Sequence, residues 1–428
     1  MSGENTSEAE GNSRATKTRR LRVLAAHRFF WPDTPAYASI LRRIGENWVA
    51  DGHAVEVVSA QPSYNAGPGQ PSEPARENLN GLLVRRTALP PERSRRSLAR
   101  KINFGLFPLK LAFHILTNRR YDLVMVSTFP PVVMGIVTAV AARLRGARFV
   151  YHCMDIHPEG GRLAGEFGRP WVYRLLRALD SQTCRMAERV VVLSEDMRRT
   201  LQSRPRPISS DVIDVRPNFV IPSYADEIKG QPPGVVAGVP LEHGERFRIL
   251  FAGNIGRFQG LDGLLEGVIA LPEKESVELI FVGDGAARAA LEDKASSAGP
   301  DRVRFVGQQP IASTERLVRS ADLCVVSLMP GVYRCAYPTK TMTYLHEARP
   351  LLAIVEDESV LSRQVREEEL GVAVPPGETE RLTRELSELI NDPQRLTRMK
   401  VACQRIYERD YAEARSMEYW SRLARELS

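Results

Sequence analysis

Residues 248–260 read RILFAGNIGRFQG, a short apolar run that is followed at once by a glycine-rich turn. The run from Arg248 to Ala252 has the length and composition of a buried strand, and helical periodicity begins near Leu261. A strand, a glycine turn and a helix in this order are typical of a parallel sheet covered by helices. The stretch therefore predicts an α/β fold of the doubly wound type.

The same alternation of apolar runs and helix-period segments extends over both halves of the chain. Between the first two runs, the spacing of Ile40, Ile44 and Trp48 predicts a helix that ends at Asp51-Gly52. In the first half, the predicted strands are Leu21 to Ala26, Ala54 to Ala60, Leu82 to Arg86, Leu123 to Ser127, Arg148 to Cys153 and Arg189 to Leu193. In the second half, they are Arg248 to Ala252, Val277 to Val282, Val303 to Val306, Leu323 to Leu328, Leu351 to Val355 and Val372 to Val374.

A chain of 428 residues exceeds the size at which one core keeps growing, so two Rossmann-like domains are predicted. The proline- and glycine-rich stretch from Ile221 to Glu245 is interpreted as their linker. The chain reads as helical after Asp392-Pro393, and its end is predicted to pack back on the first domain. The predicted division is a disordered tail at 1–20, a first domain at 21–220, a linker at 221–245, a second domain at 246–405 and a terminal helix at 406–428.

Composition excludes several classes of protein. The five cysteines are scattered and show no C-x-x-C spacing, which disfavours a zinc or redox site and fits a reducing compartment. No apolar run reaches eighteen residues and Met1 to Arg20 is polar, so neither a spanning helix nor a secretory signal is predicted. We expect a cytoplasmic protein.

Candidate binding loops follow three strands of the second half. In parallel sheets, ligands bind beyond the carboxyl ends of the strands. The glycines of Gly253 to Gly260 would let the backbone approach a diphosphate, which Arg257 could neutralise, although an ordinary turn with a surface arginine has the same pattern. Because Gly283-Asp284-Gly285 and Gly307-Gln308-Gln309-Pro310 follow the next two strands, the three loops together predict a nucleotide pocket.

The order and spacing of these motifs resemble the retaining glycosyltransferases of family 4, which have the two-domain GT-B architecture and build bacterial surface polysaccharides. The resemblance covers nearly the whole chain after residue 20. It implies transfer of a sugar from a UDP- or GDP-sugar to a glycan or lipid-linked acceptor, with retention. The matching segments are Gly253-Asn254-Ile255-Gly256, Gln259-Gly260-Leu261, Phe281 to Gly285, Leu291-Glu292, Val303 to Gly307, Tyr337 to Lys340, Tyr344-Leu345, Val374 to Gly377 and Asp155 to Glu159.

By this resemblance the second domain binds the nucleotide sugar and the first domain binds the acceptor. Gly256 and Arg257 would contact the diphosphate, Gly307 to Pro310 the base, and Lys340 the phosphates or sugar, where negative charge builds as the nucleotide leaves. No cofactor is implied, since the nucleotide sugar is a substrate, and no metal, since no D-x-D motif follows a strand. The implied donor-binding residues are Gly253, Asn254, Gly256, Arg257, Gln259, Gly283, Gly285, Gly307, Gln308, Pro338, Thr339, Lys340 and Thr343.

Two regions depart from the family pattern. The family commonly has two glutamates eight positions apart, where this chain has Cys335 and Thr343, and Glu347 lies one helical turn further on. In the first domain, the usual glycine pair is replaced by Pro32-Asp33-Thr34-Pro35-Ala36-Tyr37, which stiffens the loop. Ribose recognition and the acceptor loop are therefore expected to differ from those of the family.

Asp155, His157 and Glu159 follow a predicted strand of the first domain. As a cluster of titratable groups, they are predicted to orient acceptor hydroxyls or to act as acid or base. The competing interpretation is a helix N-terminus with solvated charges.

The stretch from Arg93 to Arg120 holds eight Lys or Arg and no acidic residue, and it continues into an apolar segment. This pattern favours peripheral contact with an anionic membrane, such as the inner face of the plasma membrane, over a core helix with a basic lead-in. Polyprenyl-linked acceptors of the resembled family would be found there. A nucleic-acid partner is not predicted, because no recognition motif accompanies the charges.

Two other functions remain open at this point. One is a nucleotide-sugar epimerase of the same two-domain shape, and the other is a non-catalytic scaffold that binds nucleotide sugars, suggested by the missing glutamates. A dinucleotide oxidoreductase is disfavoured because no G-x-G-x-x-G follows the first strand of either half.

Overall fold

The computed structural model describes residues 19–33, 36–62, 72–91, 98–118, 120–221, 234–242, 244, 246–272, 275–299 and 301–428. These residues form two largely parallel sheets, each flanked by helices, as the strand and helix pattern predicts. Residues 1–18 of the predicted tail and residues 222–233, 243 and 245 of the predicted linker lie outside the described residues.

The first sheet contains every strand predicted for the first half and two that were not. Its order is β3-β4-β2-β1-β5-β6-β7-β8, and every pair is parallel except β3 with β4. Its strands are β1 (Arg22–Ala26), β2 (Ala54–Ala60), β3 (Arg76–Leu79), β4 (Leu82–Thr87), β5 (Leu123–Ser127), β6 (Arg148–Cys153), β7 (Arg189–Val192) and β8 (Ile213–Val215). The helices are α1 (Ala36–Ala50), α2 (Leu98–Thr117), α3 (Val133–Leu144), α4 (Glu159–Leu163), α5 (Pro170–Met186) and α6 (Glu195–Gln202).

The second sheet has the order β13-β12-β11-β14-β15-β16 and is parallel throughout. A small hairpin, β9 (Val235–Val236) with β10 (Val239–Pro240), precedes it within the predicted linker. The strands are β11 (Phe247–Ala252), β12 (Val277–Val282), β13 (Val303–Val306), β14 (Leu323–Ser327), β15 (Leu351–Ile354) and β16 (Gly371–Val374). The helices are α7 (Asp262–Ile269), α8 (Arg288–Ala295), α9 (Ile311–Ser320), α10 (Lys340–His346), α11 (Val360–Glu367), α12 (Thr379–Ile390) and α13 (Pro393–Ile406).

The last helix, α14 (Glu413–Glu426), packs on the first domain, as predicted. It follows a π-helical turn at Tyr407–Tyr411 and lies against α1. Trp48 Nε1 donates a hydrogen bond of 2.9 Å to the backbone oxygen of Trp420, and the two rings meet edge to face with centroids 5.9 Å apart. Arg43 donates to the Glu413 carboxylate at 2.8 Å. The apolar side of the terminal helix therefore belongs to the core of the first domain.

The carboxyl edges of the two sheets meet. The segment after β6 contacts the segment after β14, where Ile156 N donates to Cys335 O at 2.7 Å and Asp155 pairs with Ala336 as an isolated bridge. At the start of α11, Val360 N donates to the carboxylate of Asp196 on α6 at 2.7 Å. Loops that follow strands of both domains thus line one shared cleft.

Candidate functional site

The glycines that follow β11 and β12 pack the two loops against each other. Gly253 has φ +133 and Gly283 has φ +135, a backbone conformation that side chains disfavour. A Cβ on Gly283 would lie 2.0 Å from Gly253 O, and one on Gly285 would lie 2.3 Å from Ile255 O. Loop packing alone therefore accounts for glycine at 283 and 285.

Lys340 begins α10 and lies beside the first of these loops. Its Nζ donates to Gln259 Oε1 at 3.2 Å and sits 3.6 Å from the centroid of the Phe251 ring. A Cβ on Gly253 would stand 3.4 Å from the same nitrogen. Within the part of the chain that the structure describes, no carboxylate reaches ion-pairing distance of Nζ, and burial lowers the pKa of Lys340 to about 7. A desolvated cation without a counter-charge is suited to bind an anion.

The remaining predicted donor-binding residues lie in the loops after β11, β12 and β13 and at the start of α10, and they differ in exposure. Gly256 begins the short turn Arg257–Gln259, and the side chains of Asn254, Arg257 and Gln308 are exposed. Gly307 lies near Arg288, which also donates to Gly283 O at 3.4 Å. Pro338 and Thr339 lead into α10, on which Thr343 is half-buried. The structure thus brings Gly253, Gln259 and Lys340 together in direct contact.

The positions where the resembled family has glutamates hold neutral groups here. Cys335 is buried at the contact between the domains, and burial raises the pKa of its thiol to about 12. The carboxylate of Glu347, one helical turn beyond Thr343, is engaged by Arg319, from which it accepts at 2.8 Å. Neither residue supplies a free carboxylate near the donor loops.

Asp155 and His157 lie on the cleft side of the first domain. Asp155 follows β6, its backbone N donates to Thr128 Oγ1 at 3.4 Å, and the residue is exposed. The surrounding protein desolvates the carboxyl and raises its pKa to about 6, so most of it is ionised at neutral pH. Desolvation lowers the pKa of half-buried His157 to about 4, which leaves that imidazole neutral.

Glu159 is engaged in a buried ion-pair network. Arg204, which is 3% exposed, donates to Glu159 Oε1 and Oε2 at 3.0 and 2.9 Å and to Asp180 Oδ2 at 2.8 Å. Tyr151 OH donates to the other oxygen of Asp180 at 2.9 Å. The network holds the start of α4 on the sheet. Of the three predicted acid–base groups, Asp155 and His157 are therefore the two that remain available to a ligand.

A second polar cluster in the first domain escaped the sequence analysis. His27 Nδ1 and Ser127 Oγ share a hydrogen bond, and Tyr37 OH shares one of 3.0 Å with His152 Nδ1. Burial is the main cause that lowers the pKa of His27 and of His152 to about 3, so both rings are neutral. The signal that could have found the first pair is the position of His27 after β1 and of Ser127 at the end of adjacent β5.

Two family models match the chain, one on each side of the hairpin. Residues 35–218 match the glycosyl transferase 4-like domain, and residues 246–392 match the glycosyl transferases group 1 domain. The chain belongs to the glycosyltransferases. This glycosyltransferase thus carries its two family domains on the two sheets that form the cleft.

Two curated relatives cover most of the glycosyltransferase chain. It is 28% identical over 362 residues to the probable glycosyltransferase WbjE of Pseudomonas aeruginosa, which covers 82% of this chain and 83% of the relative. It is 24% identical over 337 residues to the putative colanic acid biosynthesis glycosyl transferase WcaI of Escherichia coli, with 73% and 78% covered.

Solved structures share the GT-B fold of the glycosyltransferase. Sucrose-phosphate synthase from Thermosynechococcus elongatus superimposes with a TM-score of 0.70 at 16% identity, over 95% of this chain and 99% of that one. Anabaena HepE in complex with UDP-glucose gives 0.66 at 16% identity, with the same coverage.

The glycosyltransferase also presents an exposed apolar face on α2. The helix runs unbroken through Pro108, with Phe107, Leu111 and Ile115 buried and Ile102, Leu109, Phe113 and Leu116 exposed. Arg93, Arg95 and Arg96 of the basic stretch lie outside the described residues, whereas Arg100 and Lys101 are in the first turn of α2. Of the helices that the structure describes, none is long and apolar enough to cross a membrane.

Proposed function

We propose that the protein transfers a sugar from a UDP- or GDP-sugar onto a glycan or lipid-linked acceptor, with retention, in the synthesis of a cell-surface polysaccharide. The observation that carries the proposal is Lys340, a half-buried cation without a carboxylate partner among the described residues, on the cleft side of the second domain. The name of WcaI, which includes colanic acid biosynthesis, and the UDP-glucose bound in HepE support the substrate classes.

In the proposed donor site, fixed positive groups meet the leaving nucleoside diphosphate. The Lys340 ammonium would approach the phosphates from α10, and exposed Arg257 would close over them from the turn before α7. As the glycosidic bond breaks, charge accumulates on the diphosphate, and the already desolvated Lys340 ammonium stabilises it more in the transition state than in the ground state. Binding of the donor would also raise the pKa of Lys340, since a phosphate favours the charged ammonium.

In the proposed acceptor site, Asp155 accepts a hydrogen bond from the attacking hydroxyl. Its pKa of about 6 leaves it mostly ionised at neutral pH yet close enough to that pH to exchange a proton. His157 is neutral and can donate to or accept from a neighbouring hydroxyl of the sugar. Glu159 supports both residues by fixing the start of α4 through Arg204.

The face of α2 supports peripheral contact with an anionic membrane, where a lipid-linked acceptor would be located. Exposed Leu109 and Phe113 can enter the interface, while Arg100 and Lys101 meet lipid head groups. Each Lys or Arg near such a surface contributes about 1 kcal/mol.

Calorimetric titration with UDP, GDP and their sugar derivatives tests the donor site. The wild type is compared with Arg257→Ala and Lys340→Ala, with Lys294→Ala as a matched control, since Lys294 lies on α8 and is paired with Asp262. We expect both site variants to weaken nucleotide binding and the control to leave it unchanged. If no nucleotide binds to the wild type, the proposal is wrong.

Product analysis separates the remaining candidates. A glycosylated acceptor supports transfer, and a rearranged nucleotide sugar without an acceptor would indicate an epimerase. Donor binding without turnover of any acceptor would instead favour the non-catalytic scaffold.

A further inference from the structure

A cationic cavity lies between α4 and α5, outside the donor site. Its volume is about 260 Å³, and it is lined by the loop that joins the two helices and by the first two turns of α5. Three of its lining residues are arginines, Arg162, Arg174 and Arg177, and none is acidic. The cavity therefore concentrates positive charge without a carboxylate in its wall.

Two of the arginines, Arg162 and Arg177, lie beside one aromatic ring. The guanidinium carbons of Arg162 and Arg177 lie 4.8 and 5.1 Å from the centroid of the Tyr173 ring, which is buried. In the described ranges of the chain, no carboxylate pairs with Arg162, Arg174 or Arg177, and the nearby Glu166 lies over Gly161. Because no carboxylate offsets these positive charges, an anion that bridges them would be stabilised.

Exposed apolar residues are adjacent in sequence to the residues that line the cavity. Leu163, Trp171 and Leu175 are 43%, 58% and 50% exposed on α4 and α5. Leu163 also reaches the second domain, since a Cβ on Gly331 would lie 3.3 Å from its side chain. Asp155 is four positions before the start of α4. An arginine-lined cavity beside exposed apolar side chains suits an amphiphilic anion whose reacting end is in the cleft.

We infer that the cavity between α4 and α5 binds the diphosphate of a lipid-linked acceptor, with Trp171 and Leu175 against its hydrocarbon chain. Arg162, Arg174 and Arg177 donate to the phosphate oxygens, for which the planar guanidinium is well shaped. The inference rests on the proposed transfer to a lipid-linked acceptor, and it adds the site that holds the lipid end. A free diphosphate would use the arginines but would gain nothing from the apolar side chains.

Titration of the full-length protein with two soluble probes tests the inference. Farnesyl diphosphate, below its micellar concentration, carries both parts of the proposed ligand, and inorganic diphosphate carries the anion alone. We expect Arg174→Gln with Arg177→Gln to weaken binding of both probes by about tenfold or more. Trp171→Ala should weaken binding of farnesyl diphosphate only. Arg185→Gln, an exposed arginine further along α5, is the matched control and should leave both affinities unchanged.

Three results would overturn the inference. Farnesyl diphosphate could bind equally to the wild type and to the arginine variants, or not bind to the wild type at all. Equal affinity of the wild type for the two probes would assign the cavity to a free diphosphate. UDP is titrated in parallel as a separate test of the proposed function. If the wild type does not bind UDP, the proposed function is wrong, whichever way the two probes behave. If the double variant does not fold, Arg174→Gln alone decides, because that side chain is exposed.

Discussion

The two domains share a parallel α/β architecture but arrange the cleft edges of their sheets in opposite ways. In the second domain, glycine turns pack backbone on backbone, and one cation, Lys340, lies among them without a carboxylate partner in the described part of the chain. In the first domain, the edge is built from buried side chains, with Arg204 joining Glu159 and Asp180 and with the neutral His27 and His152 nearby. The comparison shows that one architecture can build two kinds of edge. The edge of the second domain offers fixed backbone and a cation, which suit an anion, and the edge of the first domain offers hydrogen-bonding side chains, which suit hydroxyl groups.

The largest effect is expected from breaking the ion-pair network of the first domain. Arg204→Met leaves Glu159 and Asp180 as buried carboxylates without their cation, which costs about 3–5 kcal/mol of stability. Thermal and denaturant unfolding should show the loss. Adding Glu159→Gln to Arg204→Met should recover part of it, and the same stability for Arg204→Met and wild type would show that the network does not hold the edge.

Removal of the lone cation tests the second edge. Lys340→Met keeps the length of the side chain and its contact with Phe251 but removes the charge, so we expect kcat/KM to fall about 10²–10³-fold with little change in stability. Steady-state kinetics and a melting curve on the same preparation check this. Lys294→Met should behave like the wild type, and an unchanged kcat/KM for Lys340→Met would remove the lysine from the donor site.

The third substitution tests the proposal that the edge of the first domain binds the acceptor and the edge of the second domain binds the donor. Asp155→Asn should lower kcat about 10²-fold, because the amide cannot accept a proton, while the Kd for UDP stays the same. Calorimetry with UDP measures the second quantity separately. A weakened affinity for UDP would place Asp155 at the donor, contrary to the division between the domains.

The smallest effect is a pH dependence of opposite sign at the two edges. Burial lowers the pKa of Lys340 to about 7, so the ammonium is present below that pH, and UDP affinity should fall by up to about tenfold per unit as the pH rises above 7. Desolvation raises the pKa of Asp155 to about 6, so kcat should fall as the pH decreases below 6. In Lys340→Met, the dependence of UDP affinity above pH 7 should disappear.

Sequence patterns were sufficient to predict a strand, and its ends, where the strand is an apolar run. All twelve predicted strands form, with ends that differ by one residue at most, because each contains buried apolar residues and is bounded by turn residues. The strand β3, Arg76–Leu79, was missed because its side chains alternate between exposed and half-buried and include three polar residues. The strand β8 has only three residues, Ile213–Val215, which is too short to produce a period.

At the site, the sequence predicted residues that belong to local motifs. It did not predict contacts between residues that are far apart along the chain. Lys340 and Gln259 came from motifs, but their hydrogen bond spans 81 positions and could not be derived from spacing. Glu159 was grouped with Asp155 and His157 because all three follow one strand, yet its partner Arg204 lies 45 positions away. Which carboxylate faces the cleft is decided by such tertiary ion pairs, and no local pattern contains them.

The return of α14 to the first domain makes the order of synthesis matter. Trp48 needs the backbone of Trp420, 372 positions later, to satisfy its indole N–H and to bury its ring. At about 5–20 residues per second, translation of that interval takes about 20–75 s. During this time the second domain can complete its own sheet, while the surface of α1 that receives α14 stays uncovered. The domain that is translated first is therefore the one whose core is finished last.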